Sequence, residues 1–218
     1  MTDLHLVIAN KNYSSWSLRP WLAMAEKGVA FRESLIRLDE PGTAAEIARH
    51  SPSGRVPVLI HDGLHIWESL AILEYLAELF PDHGFWPRER SARALARSVC
   101  NEMHAGFMAL RQACPMNLRR PRKPVAVSDG VLANVARIEA IWAQCRAAHG
   151  KGGPFLFGEF SNADAMYAPV VTRLDTFALP VSAASREYMD AVMATAAFRR
   201  WKEAALAEPW IVPSDEVD

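Results

Sequence analysis

The chain has 218 residues, half of them hydrophobic and 22% charged, with a formal net charge of −1. A chain of that length and composition folds, burying one large core or two modest ones, and is not a disordered tract. Its near-neutral balance gives no overall field to gather nucleic acid or an anionic membrane, so any ligand must be held by a local site.

Leu4 to Ala9 is a short apolar run suited to a strand buried on both faces. A helical pattern follows from Ser17 to Lys27 and stops at Gly28, then a second strand from Phe31 to Ile36 and a short helix over Thr43 to Arg49. Residues 56–60 and 64–67 are strand-like and separated by His61-Asp62-Gly63, a turn that makes them a hairpin. From Glu68 the pattern is helical again, with Leu70, Leu73 and Leu76 on one face, ending near Pro81 to Gly84. The order βαβ then ββα implies a mixed sheet covered by helices.

Everything later reads as helix. A charged, Ala-rich stretch from Ser91 predicts one long helix to Ala113, stopped by Pro115. A loop over 117–124 precedes helices near 129–148, 162–177, 186–195 and 197–207. The change of pattern predicts two domains, residues 1–82 and 91–218, with 83–90 as the linker.

Cys100, Cys114 and Cys145 lack CxxC or Cys/His ligand spacing, so neither a metal nor a disulfide framework is expected, and they read as buried helical residues. The first residues lack the basic-then-apolar order of a secretory signal, and no apolar run approaches the roughly 20 residues that span a bilayer. A reducing, cytoplasmic setting follows, with no membrane and no nucleic-acid partner. The basic run Arg119 to Lys123 lacks interleaved aromatics and reads as a solvated loop.

Three serines, Ser14, Ser15 and Ser17, precede the first helix, although a helix needs one N-cap. Pro20 is tolerated best in an opening turn, which predicts an N-cap between Ser15 and Arg19 and leaves the Ser14 hydroxyl free at the positive end of the helix dipole. The plain alternative is that all three are caps and turn formers. Val56-Pro57 opens a strand where proline would break the ladder; a cis bond there would expose the Val56 N–H and C=O to a bound peptide. Glu68-Ser69 sits between strand and helix, where Ser69 and the following N–H groups suit a carboxylate, or merely cap the helix.

A serine-containing first turn, a Val-Pro hairpin, a Glu-Ser helix start and an all-helical second half together resemble the cytosolic glutathione transferases over essentially the whole chain. The resemblance is to a bacterial form, and SSWSLR (14–19) is similar to the SSCSWR signature of the zeta class. It implies an α/β thioredoxin-like N-terminal domain that binds glutathione as co-substrate and an all-α C-terminal domain that lines the site of a small electrophile. Residues 160–164 resemble the family's buried capping box, with Ser161 capping, Asp164 reaching back and Phe160 as a hydrophobic staple.

Carried over by position, Ser14 would donate to the glutathione sulfur beside Ser15, Val56 and Pro57 would pair with the cysteinyl backbone, and Glu68 and Ser69 would bind the γ-glutamyl end. Arg55, or His50, would meet the glycyl carboxylate. Phe107, Arg111, Asn117 and Arg173 are candidates for the electrophile site, with Arg111 suited to an acidic co-substrate. Trp16 replaces the zeta cysteine. The expectation is a homodimeric detoxification enzyme that holds glutathione as thiolate. The alternatives are a maleylacetoacetate-type cis-trans isomerase and a noncatalytic ligand-binding protein of the same fold.

Overall fold

A computed structural model describes residues 3–217. Four strands, β1 (Leu4–Ala9), β2 (Arg32–Ile36), β3 (Val58–His61) and β4 (Leu64–Trp67), form one mixed sheet in the order β2-β1-β3-β4. β1 runs parallel to β2 and antiparallel to β3, and β3 pairs antiparallel with β4 around the His61-to-Leu64 turn. α1 (Ser15–Glu26) makes the crossover from β1 to β2, as a parallel pair requires. α2 (Thr43–Ala48) and α3 (Ser69–Leu79) complete the α/β part, a thioredoxin-like arrangement.

β1 alternates its side chains between two layers. Leu4, Leu6 and Ile8 enter the main core with Leu18, Leu22, Leu73 and Leu76, whereas Val7 joins Ile36, Ile47 and Val58 in a small cluster on the opposite face. The run is apolar throughout because both faces are covered.

After a 3-10 turn at Pro81–His83 the chain is helical: α4 (Arg90–Ala105), α5 (Met108–Ala113), α6 (Asp129–His149), α7 (Asn162–Thr176), α8 (Ala183–Ala194) and α9 (Ala196–Ala207). The main core is continuous from β1 through α1 and α3 into α4, α6 and α7. α7 is buried along nearly its whole length. Its start carries the capping box: Ser161 Oγ accepts from the Ala163 N–H, and the Ser161 N–H donates to Asp164 Oδ2 at 2.8 Å. Leu156 N–H donates to the other Asp164 oxygen at 3.1 Å. Asp164 is fully buried, and burial pushes its carboxyl up to about 6 against those donors.

Three local expectations give way. The single long helix of 91–113 is two, because Gly106 is extended and Phe107 is left-handed at φ 61°. A Cβ at Gly106 would sit 2.8 Å from the Glu102 carbonyl oxygen, so the break needs glycine there. Pro20 is not in the opening turn: α1 begins at Ser15, and Pro20 lies in its second turn. The basic run is not all solvated either. Arg120 is buried and donates to the carbonyls of Thr176, Lys123 and Val217, while Arg119 donates to Trp210 O and Tyr13 Oη. Arg122 and Lys123 are exposed as expected. All three cysteines are buried and free.

Candidate functional site

The strand-to-helix turn before α1 is rigidly held. Ser14 is the N-cap, its Oγ accepting from the Ser17 N–H at 3.3 Å and donating to Ser17 Oγ at 2.8 Å. This corrects the assignment of the cap to Ser15 or Ser17: the Ser14 hydroxyl is engaged. Ser17 Oγ also accepts from the Ala9 N–H at 3.1 Å, so its own proton is available to the Ser14 oxygen. With the pair reversed, Ser17 donates to Ser14 and the Ser14 O–H is released toward a ligand. Ser15, in the first turn, is buried.

On the other flank the Val56–Pro57 bond is cis, and β3 begins immediately after it. Glu68 takes a left-handed conformation at φ 66° between β4 and α3, with Ser69 as the first residue of the helix. A cavity of about 260 Å³ joins these parts, lined by Trp16, Ser53, Arg55, Val56, Pro57, Glu68, Ser69 and His104. Five residues named from sequence, Arg55, Val56, Pro57, Glu68 and Ser69, meet in its wall. Ser14 and Ser15 are not among its lining residues; the α1 residue that reaches it is Trp16, in the first turn of the helix.

The remaining sequence candidates are placed differently. His50 is outside the lining; its carbonyl accepts from His65 Nδ1 at 2.6 Å and its ring meets His5 edge-on. Phe107 is buried in the main core. Asn117 ties the two halves together, its Oδ1 accepting from Asn12 Nδ2 at 2.9 Å and from the backbone N–H groups of Arg119 and Arg120. Arg173 is buried and donates to Cys114 O at 2.9 Å and Pro169 O, and burial pushes its guanidinium down to about 10. Arg111 folds back over the α4–α5 break and donates to the carbonyls of Met103 and Gly106, closing the end of α4. Its guanidinium carbon is 4.9 Å from the Trp16 ring centroid, which puts it just behind the cavity wall.

Three residues outside the sequence-derived site candidates shape the site. Trp16 presents its ring to the cavity, with the Arg19 guanidinium 4.1 Å from its centroid. Arg19 is fully buried and reaches Ser69 Oγ only at 3.4 Å; its Nε and one Nη have no partner among the described residues. Burial pushes its guanidinium well down, helped by the charges of Arg111 and Arg173. His104, near the end of α4, brings the helical half into the cavity, with Nε2 3.4 Å from Glu68 Oε2. The sequence signal for His104 is a histidine one position after the buried Met103, on the edge of the core face of an amphipathic helix.

The arrangement offers an extended peptide three kinds of contact: a free backbone edge before the cis proline, the Ser69 hydroxyl and the N–H donors at the start of α3, and the Arg55 cation, with Arg19 and Arg111 behind the Trp16 ring. No group of three His, Cys, Asp or Glu residues able to hold a metal occurs among the described residues.

Residues 13–79 match the family model described as the glutathione S-transferase N-terminal domain. The maleylacetoacetate isomerase of Rattus norvegicus is 30% identical over 178 residues, covering 78% of each chain. The probable maleylacetoacetate isomerase of Caenorhabditis elegans is 28% identical over 170 residues, again 78% of each. Among solved structures, a glutathione transferase homolog from Burkholderia with bound glutathione superposes with a TM-score of 0.71, covering 93% of this chain and 98% of that one at 22% identity. That likeness concerns the fold.

Proposed function

The chain belongs to the glutathione S-transferase family, and on that premise we propose that it binds glutathione in the 260 Å³ cavity and activates its thiol for attack on a small hydrophobic electrophile. The observation that carries the proposal is the convergence of Val56, cis Pro57, Glu68 and Ser69 on one wall, beside the N-terminus of α1. The Val56 backbone suits the cysteinyl residue as an added strand segment, and Ser69 with the first N–H groups of α3 suits the γ-glutamyl carboxylate. Arg55 suits the glycyl carboxylate, and Glu68 the γ-glutamyl ammonium. Ser14, with its proton directed outward by Ser17, suits the sulfur.

A free thiol titrates near 8.5, so lowering it by about two units requires roughly 2.7 kcal/mol. One hydrogen bond to a charged acceptor supplies about 1.5–3 kcal/mol and the helix dipole up to about 1 more. Ser14 and the α1 N-terminus meet that requirement.

A second reading is supported by Arg19 and Arg111 at Trp16 and by the relatives named maleylacetoacetate isomerase: glutathione-dependent cis-trans isomerisation of an acidic substrate. Neither arginine has a carboxylate within ion-pair distance among the described residues. The proposal extends to a homodimeric, cytoplasmic detoxification enzyme with residues 1–82 and 91–218 as its domains. Exposed Leu64 and Trp67 on the edge strand β4 favour pairing with a second copy, and no helix among the described residues is long and apolar enough to cross a membrane. Calorimetry with glutathione, followed by turnover of an activated aryl halide against a maleyl-type diacid, tests both readings. Ser69→Ala should raise the glutathione KM at least about tenfold, the loss of one charge-assisted hydrogen bond. A protein that binds no glutathione would defeat both.

A further inference from the structure

A guanidinium taken out of water needs a carboxylate or a full set of acceptors around it. Arg19 has neither. It is fully buried in α1, no carboxylate lies within ion-pair distance of it among the described residues, and its Nε and one Nη have no hydrogen-bond partner there. Its surroundings add positive charge: burial pushes the guanidinium well down, and the charges of Arg111 and Arg173 push it further.

Two contacts define where that charge sits. Its guanidinium carbon is 4.1 Å from the Trp16 ring centroid, and its Nη1 donates to Ser69 Oγ at 3.4 Å. Trp16 and Ser69 both line the cavity, so Arg19, which does not line it, stands behind that part of the wall. Arg111, the other cation at Trp16, is committed to the carbonyls that close α4.

Ser69 opens α3, an 11-residue helix whose first N–H groups have no intrahelical acceptor and whose N-cap, Glu68, supplies no side-chain cap bond. A hydroxyl has one proton, and here its oxygen already accepts from Arg19. No acceptor for the Ser69 proton occurs among the described residues, so the hydroxyl is left as a donor. That donor, the helix N-terminus and the uncompensated cation all favour an anion at one place, the Ser69 wall of the cavity.

Resting on the glutathione reading of this cavity, we propose that Arg19 is a positioning residue for the γ-glutamyl carboxylate, fixing Ser69 as a donor and supplying the counter-charge from behind it. It acts without touching the ligand. The 3.4 Å contact plus one hydrogen bond of about 2.7 Å puts the carboxylate about 6 Å from the guanidinium. Opposite unit charges at that separation, with an effective dielectric of about 20, correspond to about a hundredfold in affinity.

The test is calorimetry at about pH 7 with S-methylglutathione and with its analogue in which the γ-glutamyl α-carboxylate is a carboxamide. Neither ligand has a thiol proton, so thiol ionisation plays no part. The full-length wild type should prefer the carboxylate by about a hundredfold. Arg19→Lys keeps the charge and should hold that preference to within about fivefold. Arg19→Gln carries an amide donor without the charge, and the preference should fall to about tenfold or less, the share left to Ser69 and the helix N-terminus. Its affinity for the carboxamide should change less than about threefold, whereas a merely structural role would weaken both ligands alike.

Equal preference in wild type and Arg19→Gln would overturn the proposal. Arg19→Met, an apolar replacement for an unpaired buried charge, makes the same comparison if Arg19→Gln does not fold. A wild type that binds both ligands equally would overturn the role of Arg19 with no variant, while leaving the glutathione reading in place. A wild type that binds neither would overturn both.

Discussion

Asp164→Asn separates burial from hydrogen bonding at the start of α7. The carboxyl accepts from two buried N–H groups, Leu156 and Ser161, yet burial dominates and moves it from 3.8 to about 6. That shift of about two units corresponds to roughly 3 kcal/mol. Because the folded-state value is raised, the native chain keeps a proton that the unfolded chain has lost between about pH 4 and pH 6. The associated stability is complete below about pH 4 and is lost as the pH rises through about 6. Of the total, about 1.3 kcal/mol falls between about pH 5 and pH 7.

Asparagine does not titrate, and it places an NH2 where one N–H needs an acceptor, at a cost of about 1–3 kcal/mol. The destabilisation caused by Asp164→Asn should therefore be larger at about pH 5 than at about pH 7, by about 1.3 kcal/mol. Urea unfolding of both proteins at the two pH values, at one fixed protomer concentration, measures the difference. A destabilisation that is constant or grows with pH would mean that the two N–H donors outweigh desolvation, and the reasoning would fail.

Three other outcomes are expected. Glu208 accepts the Lys11 N–H at 2.7 Å and the Asn12 N–H at 3.1 Å, so Glu208→Ala should cost about 2–4 kcal/mol in denaturant unfolding, by orphaning two donors. Arg111→Met removes the donors that close α4 and should lower stability by about 1–3 kcal/mol with the glutathione KM changed less than about threefold; a large KM effect at full stability would make Arg111 a ligand instead. Ser14→Ala should cost about 1 kcal/mol as a lost cap and reduce kcat/KM by about 10- to 150-fold as a lost donor to thiolate, and equal activity would dismiss Ser14 from the mechanism.

Features written in neighbouring residues were legible in the sequence. The turn at Asp62-Gly63, the Ser161/Asp164 box and the Val56-Pro57 and Glu68-Ser69 junctions declare themselves by local chemistry, and four of the cavity's residues come from those two junctions. Pro20 misled because tertiary packing tolerates proline in the second turn of α1, moving the cap to Ser14. The α4–α5 break was hidden because apolar spacing continues through Phe107 while the backbone turns left-handed. Arg119 and Arg120 looked solvated, since nothing near them in sequence reveals the distant carbonyls they satisfy. His104 and Arg19 acquire meaning only when α4 and α1 are brought against Trp16.

The turn that delivers Ser14 is finished by the far end of the chain. The acceptors and donors that fix Lys11 and Asn12 come from Glu208 and Trp201, and the Glu208 contacts span 197 and 196 residues. During synthesis from the N-terminus, the α/β half can assemble its sheet while that turn still lacks its partners. Ser14 would reach its final setting only after α9 has left the ribosome, so, on the proposed role of Ser14, a nascent chain stalled before residue 201 should be largely folded in its first third and unable to ionise glutathione.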